Sequence, residues 1–101
     1  MTKLIQSKGE VTFLRVHDVG TGYGPGNDHI DVEVVMGLNS HPERRMGFQL
    51  RDDRHRAARQ GMLDLLRDAY THGHRVEVDY RIDLDEGKTN GEAIRVALTK
   101  D

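Results

Sequence analysis

The sequence predicts an α+β domain dominated by strands, with five strands and one helix in the order β-β-β-α-β-β. Three observations carry this prediction. Apolar residues recur with a period of two between residues 10 and 50, then of 3.6 over 53–72, and of two again from 75 to 99. Runs rich in glycine, asparagine and aspartate punctuate those segments. A chain of 101 residues has room for one core, so 1–101 reads as a single domain with its ordered part at about 9–99.

The first strand lies in "EVTFLRVHDV" (10–19). Val11 and Phe13 point one way, while Leu14 and Val16 point the other. A strand that changes its buried face midway is bent or bulged, as in a small barrel. "GTGYGPGND" (20–28) follows, with glycines at 20, 22, 24 and 26. A phosphate-cradling loop needs Lys then Ser or Thr where the run ends, opening a helix. This one ends in Asn27-Asp28 and opens a strand, so it reads as a flexible hairpin loop. "HIDVEVVMGL" (29–38) alternates, with Ile30, Val32, Val34 and Met36 inward and His29, Asp31 and Glu33 outward. "RMGFQL" (45–50) puts Met46, Phe48 and Leu50 on one face.

The helix is expected at about 53–72, started by Asp52 or Asp53 and closed by His72 and Gly73. Its apolar stripe is Ala58, Met62, Leu65, Leu66 and Ala69, with Tyr70 at the border. In "RVEVDYRI" (75–82), Val76, Val78, Tyr80 and Ile82 share a face. In "EAIRVALT" (92–99), Ile94, Val96 and Leu98 do so. A hairpin joins these two strands, with Asn90-Gly91 as its strongest turn signal.

Five antiparallel strands, a bent first strand and a helix between strands three and four resemble the OB-fold, a small Greek-key barrel, over about residues 9–99. An open antiparallel sheet packed by one helix is the alternative. The resemblance rests on element order and length. It implies ligand binding through the loop between strands one and two, which would bring Tyr23, Asn27 and His29 to the ligand.

Several chemistries are excluded or unsupported. The chain has no cysteine, hence no disulfide, thiolate zinc site or cysteine nucleophile. No GxSxG nucleophile motif occurs, and no catalytic residue or cofactor is assigned. Six histidines lack the spacing of a strong metal motif; His17, His29 and Asp31 are the best set that two facing strands would assemble. Asp83, Asp85 and Glu92 do not fit a calcium loop, because Gly87 stands where an oxygen ligand is required. No apolar run reaches membrane-spanning length, and a cytoplasmic location with no membrane partner is expected.

Charge is distributed unevenly. Residues 44–59 carry six arginines and two aspartates, in a chain whose net charge is −2. Arg44, Arg45, Arg51, Arg54, Arg56 and Arg59 are therefore candidates for holding an anion or a single-stranded nucleic acid. The remaining acidic balance opposes a continuous basic footprint. The sequence thus points to a non-catalytic binding module using the 20–28 loop and adjacent strand surface. Self-association through edge strands and anion binding by the arginine run are its alternatives.

Overall fold

The computed structural model describes residues 2–18, 32–51, 53–87 and 89–100, without the side chains of His17 and Asp18. The 20–28 loop therefore lies outside the described residues. Five strands and one helix follow the expected order: β1 (Lys3–Asp18), β2 (Val32–Leu38), β3 (Arg45–Leu50), α1 (Arg56–His72), β4 (Arg75–Ile82) and β5 (Asn90–Thr99). The strands close into a ring in the order β1-β2-β3-β5-β4.

Closure depends on β1, which begins at Lys3, ahead of the expected start. Its first half pairs with β4 from Lys3 opposite Ile82 to Glu10 opposite Arg75. Its second half pairs with β2 from Val11 opposite Leu38 to Asp18 opposite Val32. Between the two, Thr12 is an extra residue that breaks the register. The expected bulge is present, but its effect on the faces differs from expectation. It lets Val11 and Leu14 follow the inner side, opposite Leu38 and Met36, leaves Val16 exposed opposite Val34, and turns Phe13 outward opposite Gly37.

Two further corrections concern the seam. The ring is not wholly antiparallel, because β3 and β5 run parallel through Arg45–Asn90, Met46–Gly91 and Gly47–Glu92. The turn before β5 falls at Leu84–Gly87, where the Gly87 N–H donates to the Leu84 carbonyl at 3.0 Å. Asn90-Gly91 instead opens β5. A second bulge, at Ile94, separates the Asp79–Arg95 and Tyr80–Ala93 pairs. Ala93 and Val96 are therefore the buried residues of β5, while Ile94 and Leu98 are partly exposed.

The interior holds Val34, Met36, Leu38, Met46, Phe48, Leu50, Val76, Val78, Tyr80 and Ile82, all on the faces that alternation predicts. Helix α1 packs chiefly on β1 and β5, burying Met62, Leu66 and Ala69. Full burial of a leucine such as Leu66 contributes about 1.5–3 kcal/mol. Ala58 is exposed, so the buried stripe is narrower than expected. The helix starts three residues late because Asp53 forms the turn ahead of it, its Oδ1 accepting from the His55 N–H at 2.8 Å. It ends where expected, with Gly73 at φ 72° donating its N–H to the Ala69 carbonyl.

Candidate functional site

The two outer faces of the ring differ in kind. On β1, β4 and β5 the register sets opposite charges side by side: Lys8 across from Glu77, Glu10 from Arg75, Asp79 from Arg95. The last pair is bidentate, with Arg95 Nε donating to Asp79 Oδ2 at 2.7 Å and Nη2 to Oδ1 at 3.2 Å. Gln6 adds a third bond to Oδ1 at 2.9 Å. The Arg95 bonds, then Gln6, hold the Asp79 carboxyl below its ordinary range, and Asp79 in turn raises Arg95. This face satisfies its own charges.

The outer face of β1, β2 and β3 is a groove of about 460 Å³. The pleat builds it in rows across the three strands. One row is Phe13, Gly37 and Arg45; the next is Arg15, Val35, Gly47 and, beyond the parallel seam, Glu92. Gly47 carries no side chain in this lining, and the space over Gly37 is taken by the Arg45 side chain. At Gly47 a Cβ would stand 2.8 Å from the Val34 carbonyl oxygen, so only glycine fits there without moving backbone.

Two aromatics line this groove, Phe48 from the core and the more exposed Phe13. The Arg45 guanidinium carbon lies 4.6 Å from the Phe13 ring centroid and that of Arg15 lies 5.9 Å away, both within cation–π range. Among the described residues, Arg15 makes no hydrogen bond or ion pair. The carboxylate of Glu92 is compensated by Arg59, whose Nη2 is 3.8 Å away. The groove thus holds an aromatic ring with two guanidinium groups over it, and carries Glu33 and Glu92 in the same lining.

The arginine run does not act as one cluster. Arg44 and Arg51 flank β3, whose two ends stand about 17 Å apart at strand spacing. Arg44 turns inward, and its Nη1 donates to the buried Tyr80 hydroxyl at 2.8 Å. Arg51 donates to Gln49 Oε1 at 3.1 Å, Arg56 to the Leu50 carbonyl at 3.4 Å and Arg59 to the Gln49 carbonyl at 3.0 Å. The last two contacts tie the end of β3 to the start of α1. Arg54 is exposed beside His55, with Nε 3.4 Å from the His55 Nε2. Only Arg45 of the six belongs to the lining of the groove.

Tyr23, Asn27 and His29 lie outside the described residues, as do Asp31 and the side chain of His17. Among the described residues no group of three or more His, Cys, Asp or Glu stands close enough to hold a metal. Phe13, Arg15, Val35, Gly47 and Glu92 were missed as groove residues in the sequence. The bulge at Thr12 reassigns the first two, and the ring closure brings up Glu92. Compared with protein-family models, curated proteins and solved structures, the chain matches none.

Proposed function

We propose that this chain is a non-catalytic, OB-like binding module. Its ligand lies in the outer groove of β1, β2 and β3 and is also contacted by the 20–28 loop, which joins β1 to β2 in sequence. The ligand class this groove suits best is a single-stranded nucleic acid. The strand order and the bulged first strand support the OB-like reading, and such barrels bind oligonucleotides and oligosaccharides on the face of strands two and three and through neighbouring loops. The observation that carries the ligand class is Phe13 with the guanidinium groups of Arg15 and Arg45 close to its ring. Every base offers a π-face, stacking is worth about 1–3 kcal/mol per base, and each base in a strand is flanked by two phosphates. The paired charges of the opposite face leave little there for a polyanion to displace.

Fluorescence anisotropy with a labelled dT6 oligonucleotide tests this. Two phosphate contacts to a single strand correspond to a slope of about −1.4 in log K against log salt concentration. Arg15→Ala should reduce that slope by about 0.7. Absence of binding at low salt, or an affinity insensitive to salt, would remove nucleic acid as the ligand.

A further inference from the structure

We infer that Arg45 is the oxyanion-recognising group of this groove and that Gly37 is the residue that positions it. The inference rests on the groove being the ligand site. Arg45 Nη1 carries two hydrogens, and both are engaged: it donates to the Pro42 carbonyl at 3.1 Å and to the Arg44 carbonyl at 3.1 Å. The backbone is held as well, the Arg45 N–H donating to the Thr89 carbonyl at 2.9 Å. So anchored, the guanidinium reaches across β2 to Phe13.

It passes directly over Gly37. A Cβ at that position would stand 2.6 Å from Arg45 Nη1, closer than any real contact, so a side chain there would push the guanidinium off its two carbonyls. What Arg45 still presents is the opposite edge of the fork, Nε–H with Nη2–H. Neither nitrogen has a hydrogen-bond partner among the described residues. That edge offers two parallel, coplanar donors, the geometry that pairs with two oxygens of a phosphate or carboxylate. Lysine cannot substitute. One ammonium cannot bond two carbonyls, stay close to an aromatic ring and still offer two coplanar donors.

The consecutive arginines 44 and 45 therefore have opposite uses. Pleating sends Arg44 to Tyr80 inside the ring and Arg45 to the groove. The ligand chemistry assigned to Arg45 is a group with two coplanar anionic oxygens. A phosphodiester within a strand and a phosphate on a small molecule share it.

The test follows the side-chain Nε–H resonance of Arg45 by NMR in the wild-type chain and in Arg45→Lys, Arg15→Lys and Gly37→Ala. The probes are inorganic phosphate and dT6. In the free wild-type protein this resonance should carry a ring-current shift from Phe13 that Gly37→Ala removes. Both probes should move it. Arg45→Lys should weaken dT6 binding about tenfold or more with charge unchanged, whereas Arg15→Lys, a simple point charge, should cost about threefold or less. Should phosphate move the resonance while dT6 does not bind, the nucleic-acid reading fails and the role of Arg45 stands. Should dT6 bind without moving it, or should Arg45→Lys bind like wild type, the inference is overturned and the groove reading survives. A resonance that neither probe moves overturns it as well. Should Gly37→Ala fail to fold, the lysine variants still decide the matter.

Discussion

Tyr80 illustrates how a single polar atom is accommodated in the core. Its side chain is fully buried, and its hydroxyl accepts from Arg44 Nη1 at 2.8 Å. An arginine can only donate, so the hydroxyl proton is directed to Ser7 Oγ, 2.7 Å away and also buried. The three groups join β1, β4 and the residue ahead of β3 through one oxygen. Tyr80→Phe removes the shared atom and leaves both Ser7 and the guanidinium short of a partner. It should cost about 1–3 kcal/mol, read as a lower urea midpoint at an unchanged slope. An unchanged midpoint would mean that water replaces the hydroxyl. Alternation alone places Tyr80 inside. That its hydroxyl meets residues 36 and 73 positions away is not legible along the chain.

At the scale of the element, periodicity identified every strand and the helix, and failed where one residue interrupts it. Thr12 in β1 and Ile94 in β5 each shift the alternation by one, so every residue beyond changes face. Phe13 moved from the expected core set to the groove for this reason. The first half of β1 begins ahead of the strand expected from the sequence; it is a strand because β4 pairs with it from Lys3 to Glu10. The helix supplies an internal comparison between two glycines. Gly73 has φ 72° at the C-cap, where alanine is strained, whereas Gly61 lies in the helix with open space around its Cβ position. Gly73→Ala should destabilise by about 1–2 kcal/mol. Gly61→Ala should stabilise by up to about 1 kcal/mol. Thermal melts of the two variants would show shifts of opposite sign; shifts of the same sign would contradict the geometry.

For the molecule as a whole, ring closure separates the surface into a self-paired charged face and a grooved face lined by Phe13, Arg15 and Arg45. Among the described residues every strand of the ring pairs with two neighbours, and the β3–β5 seam rests on three pairs. The Gln6–Asp79–Arg95 cluster links β1, β4 and β5 on the charged face. The folded-state pKa of Asp79 lies below its usual value of 3.8. Its contribution to stability is therefore complete above pH 3.8 and is lost as pH falls through the lower folded value. Urea unfolding at pH 7 and pH 3 should show a larger loss in wild type than in Asp79→Asn. Equal losses would show that the cluster is not what acid disrupts.

The order of elements, the inward faces of β2, β3 and β4, the C-terminus of α1 and the absence of cysteine chemistry were all determined by the sequence by itself. Each depends on neighbours within a few residues, through period, cap and turn chemistry. Tertiary structure alone decided the parallel β3–β5 seam, the outward turn of Phe13, and the division of the arginine run into Arg44 for the core, Arg45 for the groove and Arg51, Arg56 and Arg59 for the β3–α1 junction. The physical reason is that a guanidinium takes whichever acceptor or ring the ring closure places within its reach, and those partners lie far away along the chain.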